Sequence, residues 1–255
     1  MRMDRLAFTS KLKGEDPLEK LFYTVLTLFV CIWADNLLIS CMVIIVNIFL
    51  SYFKGGLPLS SILKTFKAPL TFLFLGVITV AFEFGNSPDY LWKMEIFGIY
   101  VGFHNASLLK ATHLFFKALG AVSCLFFLSL NTPFKDILSA LERLKLPRLF
   151  LDLSELIYRF IFTLLGTADK IYLAQASRQG YGSFVQSYKS MGLLIASVFT
   201  KAYKRSDDVY EALLSRGYEG DLKVLQEEYR SNKMVYPLAI LFNLFLIVLK
   251  MLMEA

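Results

Sequence analysis

Arg178 and Arg216 are the two residues of this sequence whose surroundings repeat. Ile171-Tyr-Leu-Ala-Gln-Ala-Ser-Arg178-Gln-Gly-Tyr181 lies over Val209-Tyr-Glu-Ala-Leu-Leu-Ser-Arg216-Gly-Tyr218. Tyr172/Tyr210, Ala174/Ala212, Ser177/Ser215 and Arg178/Arg216 coincide without a gap, and Gly180-Tyr181 meets Gly217-Tyr218 after one inserted residue, Gln179. Good helix formers run up to each arginine, so each copy reads as a helix C-terminus, with Gly180 or Gly217 expected in the left-handed cap position. An arginine in a last turn is favoured by the carbonyl end of the helix dipole. Its planar five-donor fork also suits carboxylate partners. Small neighbours, Ala176, Ser177 and Ser215, leave room for close approach. One such terminus is ordinary capping. Two copies carrying Tyr, Ala and Ser at matched offsets exceed what capping requires, and the chemistry they suit is docking rather than bond-making.

Residues for other chemistry are sparse. The glycines near 180–182, 192, 217 and 220 are not followed by Gly-Lys-Ser/Thr, so no phosphate-binding loop of the Walker A type is present. GxSxG and HExxH are absent. His104 and His113 stand nine apart with no Cys or carboxylate pair beside them, and read as interfacial or packing residues. Asp207-Asp208 is not DDxxD and has no second acidic cluster opposite it, which disfavours a membrane transferase. Glu83, Lys110 and Lys117 fall at span edges, where snorkelling explains them. Cys31, Cys41 and Cys124 are odd in number, lie inside apolar runs and imply no disulfide framework. No cofactor and no metal site are expected.

The elements that hold the arginines follow from composition. Of 255 residues 56% are hydrophobic, 24 are Phe, and mean hydropathy is +0.54. Such a chain is not disordered. Yet 19% of it is charged, and the charges are unevenly placed: nine in residues 1–20, ten in 21–134, 27 in 135–233 and two in 234–255. A membrane span needs about 20 apolar residues. Leu21–Trp33 and Leu37–Phe53 form a helical hairpin about Ala34-Asp35-Asn36; Ala68–Phe84, Leu108–Leu130 and Met234–Met253 complete five spans. Residues 151–172 and 188–202 are too polar for clean spans and lie at the interface or insert in part. The Lys/Arg bias puts the N-terminus, the 54–67 loop and residues 131–233 in the cytoplasm, and the 85–107 loop outside. The first 20 residues lack the apolar core of a signal peptide.

Between the fourth and fifth spans, 133–233 read as helix throughout. Thr132-Pro133 opens a helix in which Phe134, Ile137, Leu138, Leu141 and Leu144 recur opposite Lys135, Asp136, Glu142 and Arg143. The block holds 15 basic and 12 acidic residues; mixed sign argues for a protein partner and against nucleic acid. The expected fold is all-α: a polytopic integral membrane protein with about five transmembrane helices. Its parts are an N-terminal membrane domain (1–132), a cytoplasmic amphipathic helical block (133–233) and a C-terminal span (234–255).

A membrane protein with two small-Arg-Gly-type motifs in such a block, Ala176-Ser177-Arg178 followed by Gln179-Gly180 and Ser215-Arg216-Gly217, resembles the transmembrane T component of energy-coupling factor (ECF) transporters. Asp4-Arg5-Leu6-Ala7-Phe8 leading to Asp16-Pro17-Leu18-Glu19-Lys20-Leu21 is similar to the cobalt-type, CbiQ-like branch, as are Tyr181-Gly182-Ser183-Phe184 and Val209-Tyr210-Glu211-Ala212-Leu213-Leu214. The resemblance implies a non-catalytic coupling subunit in the cell membrane. Its partners would be cytoplasmic CbiO-like ABC ATPases and a CbiM-like capture subunit. Arg178 and Arg216 would end two coupling helices docked on the ATPases, and the expected solute is cobalt, with nickel or a vitamin as alternatives.

Overall fold

Helix α2 (Pro17–Ala34) begins where the side chain of Asp16 accepts from the Leu18 amide and Pro17 takes the first helical position. It ends at Asp35, whose φ of 45° turns the chain, and Asn36 then caps α3 (Leu37–Phe49) by accepting from Leu38. The Ala34-Asp35-Asn36 turn is therefore the hairpin expected of it. Before α2 come α1 (Arg2–Thr9) and a 3-10 turn (Lys11–Gly14). After α3 the helix widens into a π turn, Leu50–Lys54. The computed structural model describes residues 2–84, 92–96, 99–103, 105–218, 229–232 and 234–254.

The third span differs from expectation. Helix α4 covers Leu59–Ala81, nine residues earlier than the anticipated start at Ala68. Pro58 starts it, its carbonyl accepting from Ser61 and Ile62, and Pro69 lies inside, where it withholds one backbone bond without ending the helix. At its far end the chain leaves the helix as β1 (Phe82–Phe84), which pairs antiparallel with β3 (Ile99–Phe103); β3 in turn pairs with β2 (Trp92–Ile96). The last residues of the expected third span, 82–84, and parts of the segment read as a loop, 85–107, thus form a three-stranded sheet. Helices α5 (Asn105–Asn131), α6 (Phe134–Arg143), α7 (Arg148–Ser177), α8 (Phe184–Leu214) and α9 (Val235–Glu254) follow. Five helical stretches among the described residues are long and apolar enough to cross a membrane: 17–34, 37–54, 59–80, 107–131 and 235–253.

The chain packs as two units, 1–140 with 227–255, and 141–226. In the first, α5 is central, packing against α2, α3 and α4, while α9 packs on α2. Its apolar core joins Val30, Cys31, Ile39, Val43, Cys124 and Leu246, and a second cluster joins Leu57, Ile62, Phe66 and Leu130. A Cβ at Gly120 would sit 2.8 Å from Cys31 Sγ, so the glycine sets how closely α5 approaches α2. Polar residues run through this bundle and pair with one another where lipid offers nothing. Tyr23 donates to Asn47 Oδ1 (3.0 Å), Asn47 to Ser123 Oγ (3.1 Å), Asn131 to Ser51 Oγ (3.1 Å), and Ser10 to Asn131 Oδ1 (2.9 Å). At the other end of the bundle Lys117 pairs with Asp35 at 3.0 Å, so that lysine has a partner rather than merely snorkelling. Lys250 lies 3.9 Å from the centre of the Trp33 ring.

In the second unit α7 and α8, each about 45 Å long, run back alongside one another from a reversal at 178–183. An apolar cavity of about 280 Å³ separates Leu156, Phe160 and Leu164 from Ala202, Val209 and Tyr210. No described residue of α8 is buried, and Leu173, Phe184, Tyr188 and Phe199 are largely exposed.

Candidate functional site

The two arginine motifs end α7 and α8, and they end them in the same way. At the first, the Gly180 amide donates to the Gln175 carbonyl (2.9 Å) and the Gln179 amide to the Ala176 carbonyl (3.0 Å). At the second, the Tyr218 amide donates to the Leu213 carbonyl (3.0 Å) and the Gly217 amide to the Leu214 carbonyl (3.0 Å). Each is the paired 6→1 and 5→2 pattern of a Schellman terminus. Arg178 and Arg216 occupy the same cap position, one residue before the left-handed one. Ser177 and Ser215 match as well, their hydroxyls donating to the carbonyls of Leu173 and Glu211, both at 2.9 Å.

This corrects the expected role of Gly180. The left-handed residue of the first motif is Gln179, at φ 57°, while Gly217, at φ 75°, fills that place in the second. No residue is inserted: 175–180 and 213–218 share one hydrogen-bond register, and Gln179, not Gly180, is the counterpart of Gly217. Aligning glycine to glycine hid this; counting from each arginine would have revealed it.

Gly180 is needed for proximity. A Cβ there would lie 2.8 Å from Ser190 Oγ and 2.9 Å from the Gln175 carbonyl oxygen. The first terminus is in fact fastened to the start of α8. Gln175 Nε2 donates to the Ser190 carbonyl (3.1 Å), Ser190 Oγ donates to the Gly180 carbonyl (2.7 Å), and Tyr181 OH donates to Gln175 Oε1 (2.8 Å). The Tyr172 and Tyr181 rings add a contact at 4.8 Å. The second terminus shows no comparable fastening among the described residues. Its Tyr210 lines the apolar cavity between α7 and α8, beside Arg205 and Leu213.

Ala176, Ser177, Arg178, Ser215, Arg216 and Gly217 are all exposed. Neither guanidinium has a hydrogen-bond or ion-pair partner among the described residues. Among the described residues each guanidinium thus keeps its five donors free beyond a fixed backbone, in a setting of small residues. No three His, Cys, Asp or Glu side chains among the described residues converge to hold a metal; His113 is exposed and His104 lies outside them.

Residues 8–227 match the family model of CbiQ, the cobalt transport protein. The chain belongs to the CbiQ family. Over 248 residues it is 31% identical to an uncharacterized protein of Methanocaldococcus jannaschii, covering 97% of this chain and 91% of that protein. It is 34% identical over 154 residues to the cobalt transport protein CbiQ of Salmonella typhimurium, covering 60% and 68%. A third relative is the energy-coupling factor transporter transmembrane protein EcfT of Streptococcus equi, 28% identical across 86% of this chain and 85% of the relative. With its five apolar helices, this CbiQ-family chain is the multi-pass transmembrane component of an ECF-type transporter.

Beyond the arginines lie residues that sequence reading passed over. Asp136, placed on the wet face of α6 by its spacing, is buried and accepts from Tyr229 OH at 3.0 Å. Glu19 and Lys20 read as N-terminal flanking charges; both are buried at the head of α2. Asp136 meets Tyr229 across 93 positions and Glu19 meets Ser231 across 212, separations to which no local pattern points.

Proposed function

We propose that this CbiQ-family chain is the coupling subunit for cobalt uptake. ATP-driven movement of cytoplasmic ATPase subunits passes through α7 and α8 to a membrane subunit that captures the ion. The observation that carries this reading is the pair of Schellman termini with one hydrogen-bond pattern, each projecting from a bed of small residues an arginine that has no partner among the described residues. Two identical docking ends suit two similar subunits, as in a pair of CbiO-like ATPases, and guanidinium forks suit acidic grooves on them. The exposed apolar sides of α7 and α8 supply area for partners. In this reading the N-terminus and residues 133–233 face the cytoplasm, which the Lys/Arg distribution supports, and the capture subunit is of the CbiM type. The chain itself performs no catalysis.

Charge reversal tests this. Arg178→Glu combined with Arg216→Glu places like charge against each groove, a cost of about 2–5 kcal/mol per desolvated pair, and should abolish co-purification with the ATPases. Lysine at both positions keeps charge but loses bidentate geometry, and should leave partial cobalt uptake in proteoliposomes. Assembly and coupled uptake by the double glutamate variant overturn the assignment.

A further inference from the structure

The head of α2 carries a charged cluster that arginine docking leaves unused. Glu19 and Lys20 are only 1% and 4% exposed, and Asp136 1%. Lys20 Nζ donates to the Leu12 carbonyl at 2.9 Å, reaches the Asn131 carbonyl at 3.5 Å, and lies in the field of Asp136, Glu15, Asp16 and Glu19. Glu19 Oε1 accepts from Ser231 Oγ at 3.0 Å and from the Asn232 amide at 2.9 Å. Tyr229 OH donates to Asp136 Oδ1 at 3.0 Å. The backbone joins in: the Arg230 amide donates to the Gly14 carbonyl (2.9 Å) and the Asp16 amide to the Arg230 carbonyl (3.3 Å), pairing Glu15 with Arg230 as a short parallel bridge.

The chain order gives this cluster its meaning. Asp136 stands just before the chain enters the 141–226 unit, and Tyr229–Asn232 stand just after it returns. The outgoing and returning segments are thus tied to each other and to α2: Glu19, Lys20 and Asp136 are buried and charged, and the returning Tyr229, Ser231 and Asn232 meet the two carboxylates with neutral donors. Removing one partner from such a set leaves a buried charge uncompensated, so the cluster holds as a whole or fails as a whole. A chain displaced at 141–226 but loose at 136 and 229 would take up the movement as slack in its two connections.

We infer that Glu19, Lys20, Asp136, Tyr229 and Ser231 form a permanent clasp that anchors both connections of the 141–226 unit to α2 and delivers the movement of that unit into the membrane bundle. This rests on the coupling reading above and assigns these five residues a positioning role in it. The clasp stays shut throughout the transport cycle.

The test uses the whole transporter in proteoliposomes, with ATP hydrolysis, cobalt uptake and subunit co-purification measured together. If the wild-type complex takes up cobalt without ATP, the coupling reading falls and the clasp with it. Where the wild type couples, Tyr229→Phe and Glu19→Gln, both nearly isosteric, should co-purify normally and hydrolyse ATP within about twofold of wild type. Uptake per ATP should fall roughly tenfold, the scale of a lost coupling interaction. Glu15→Cys with Arg230→Cys joins two bridge-paired positions at a spacing that accommodates a disulfide. Oxidation of that pair should leave uptake intact and restore it in the Tyr229→Phe background. Full coupling in both single variants, or loss of uptake on oxidation, overturns the inference.

Discussion

The ends of α7 and α8 share one backbone conformation and reach it by different means. At the second end a glycine occupies the left-handed position, where it meets no steric cost. At the first, Gln179 occupies it, and for an L-residue that conformation costs about 1–2 kcal/mol. What offsets the cost is local: Gln175, Tyr181 and Ser190 bind the first terminus to the neighbouring helix. The first end is held by its surroundings and the second by its own residue type. A repeat conserved at the level of geometry can therefore be disguised in sequence, because the side chains that secure it differ.

Substitutions that exchange these two means sharpen the contrast. The largest effect is expected from Gly180→Ala, whose added methyl must displace Ser190 Oγ and a backbone carbonyl. Overpacking of this kind costs about 1–3 kcal/mol, and it should appear as faster hydrogen exchange at the amides of residues 179 and 180 with the α8 terminus unchanged. Gly217→Ala comes next. Nothing crowds the new methyl, so only the left-handed backbone is penalised, by about 1 kcal/mol, with exchange at the Tyr218 amide rising and that at Gly180 unaffected. The smallest effect, and of opposite sign, belongs to Gln179→Gly. It should slow exchange at Gly180 by the equivalent of about 0.5 kcal/mol. Destabilisation there would show that the Gln179 side chain contributes more than its backbone strain removes.

The sequence made the apolar framework legible because lipid demands long unbroken runs, and the turn at 34–36 was legible because Asp and Asn tolerate it. The start of α4 was missed because Lys64 and Lys67 look like the end of a loop, although both are exposed residues of a helix that Pro58 opens. The sheet at 82–103 was missed because strands so short leave little periodicity. Arg178 and Arg216 stood out through their repeat, yet Gln179 was misjudged, since composition favours glycine wherever the backbone turns left-handed. Asp136 shows the limit best. Its helical phase puts it on the polar face, while the distant Tyr229 and Lys20 account for its burial.

Helix α8 has no buried residue among those described, and Phe184, 88% exposed, stands at its first turn. For a cell this is a matter of stoichiometry. A copy made in excess of its partners displays aromatic and aliphatic surface of the kind that quality-control proteases act on.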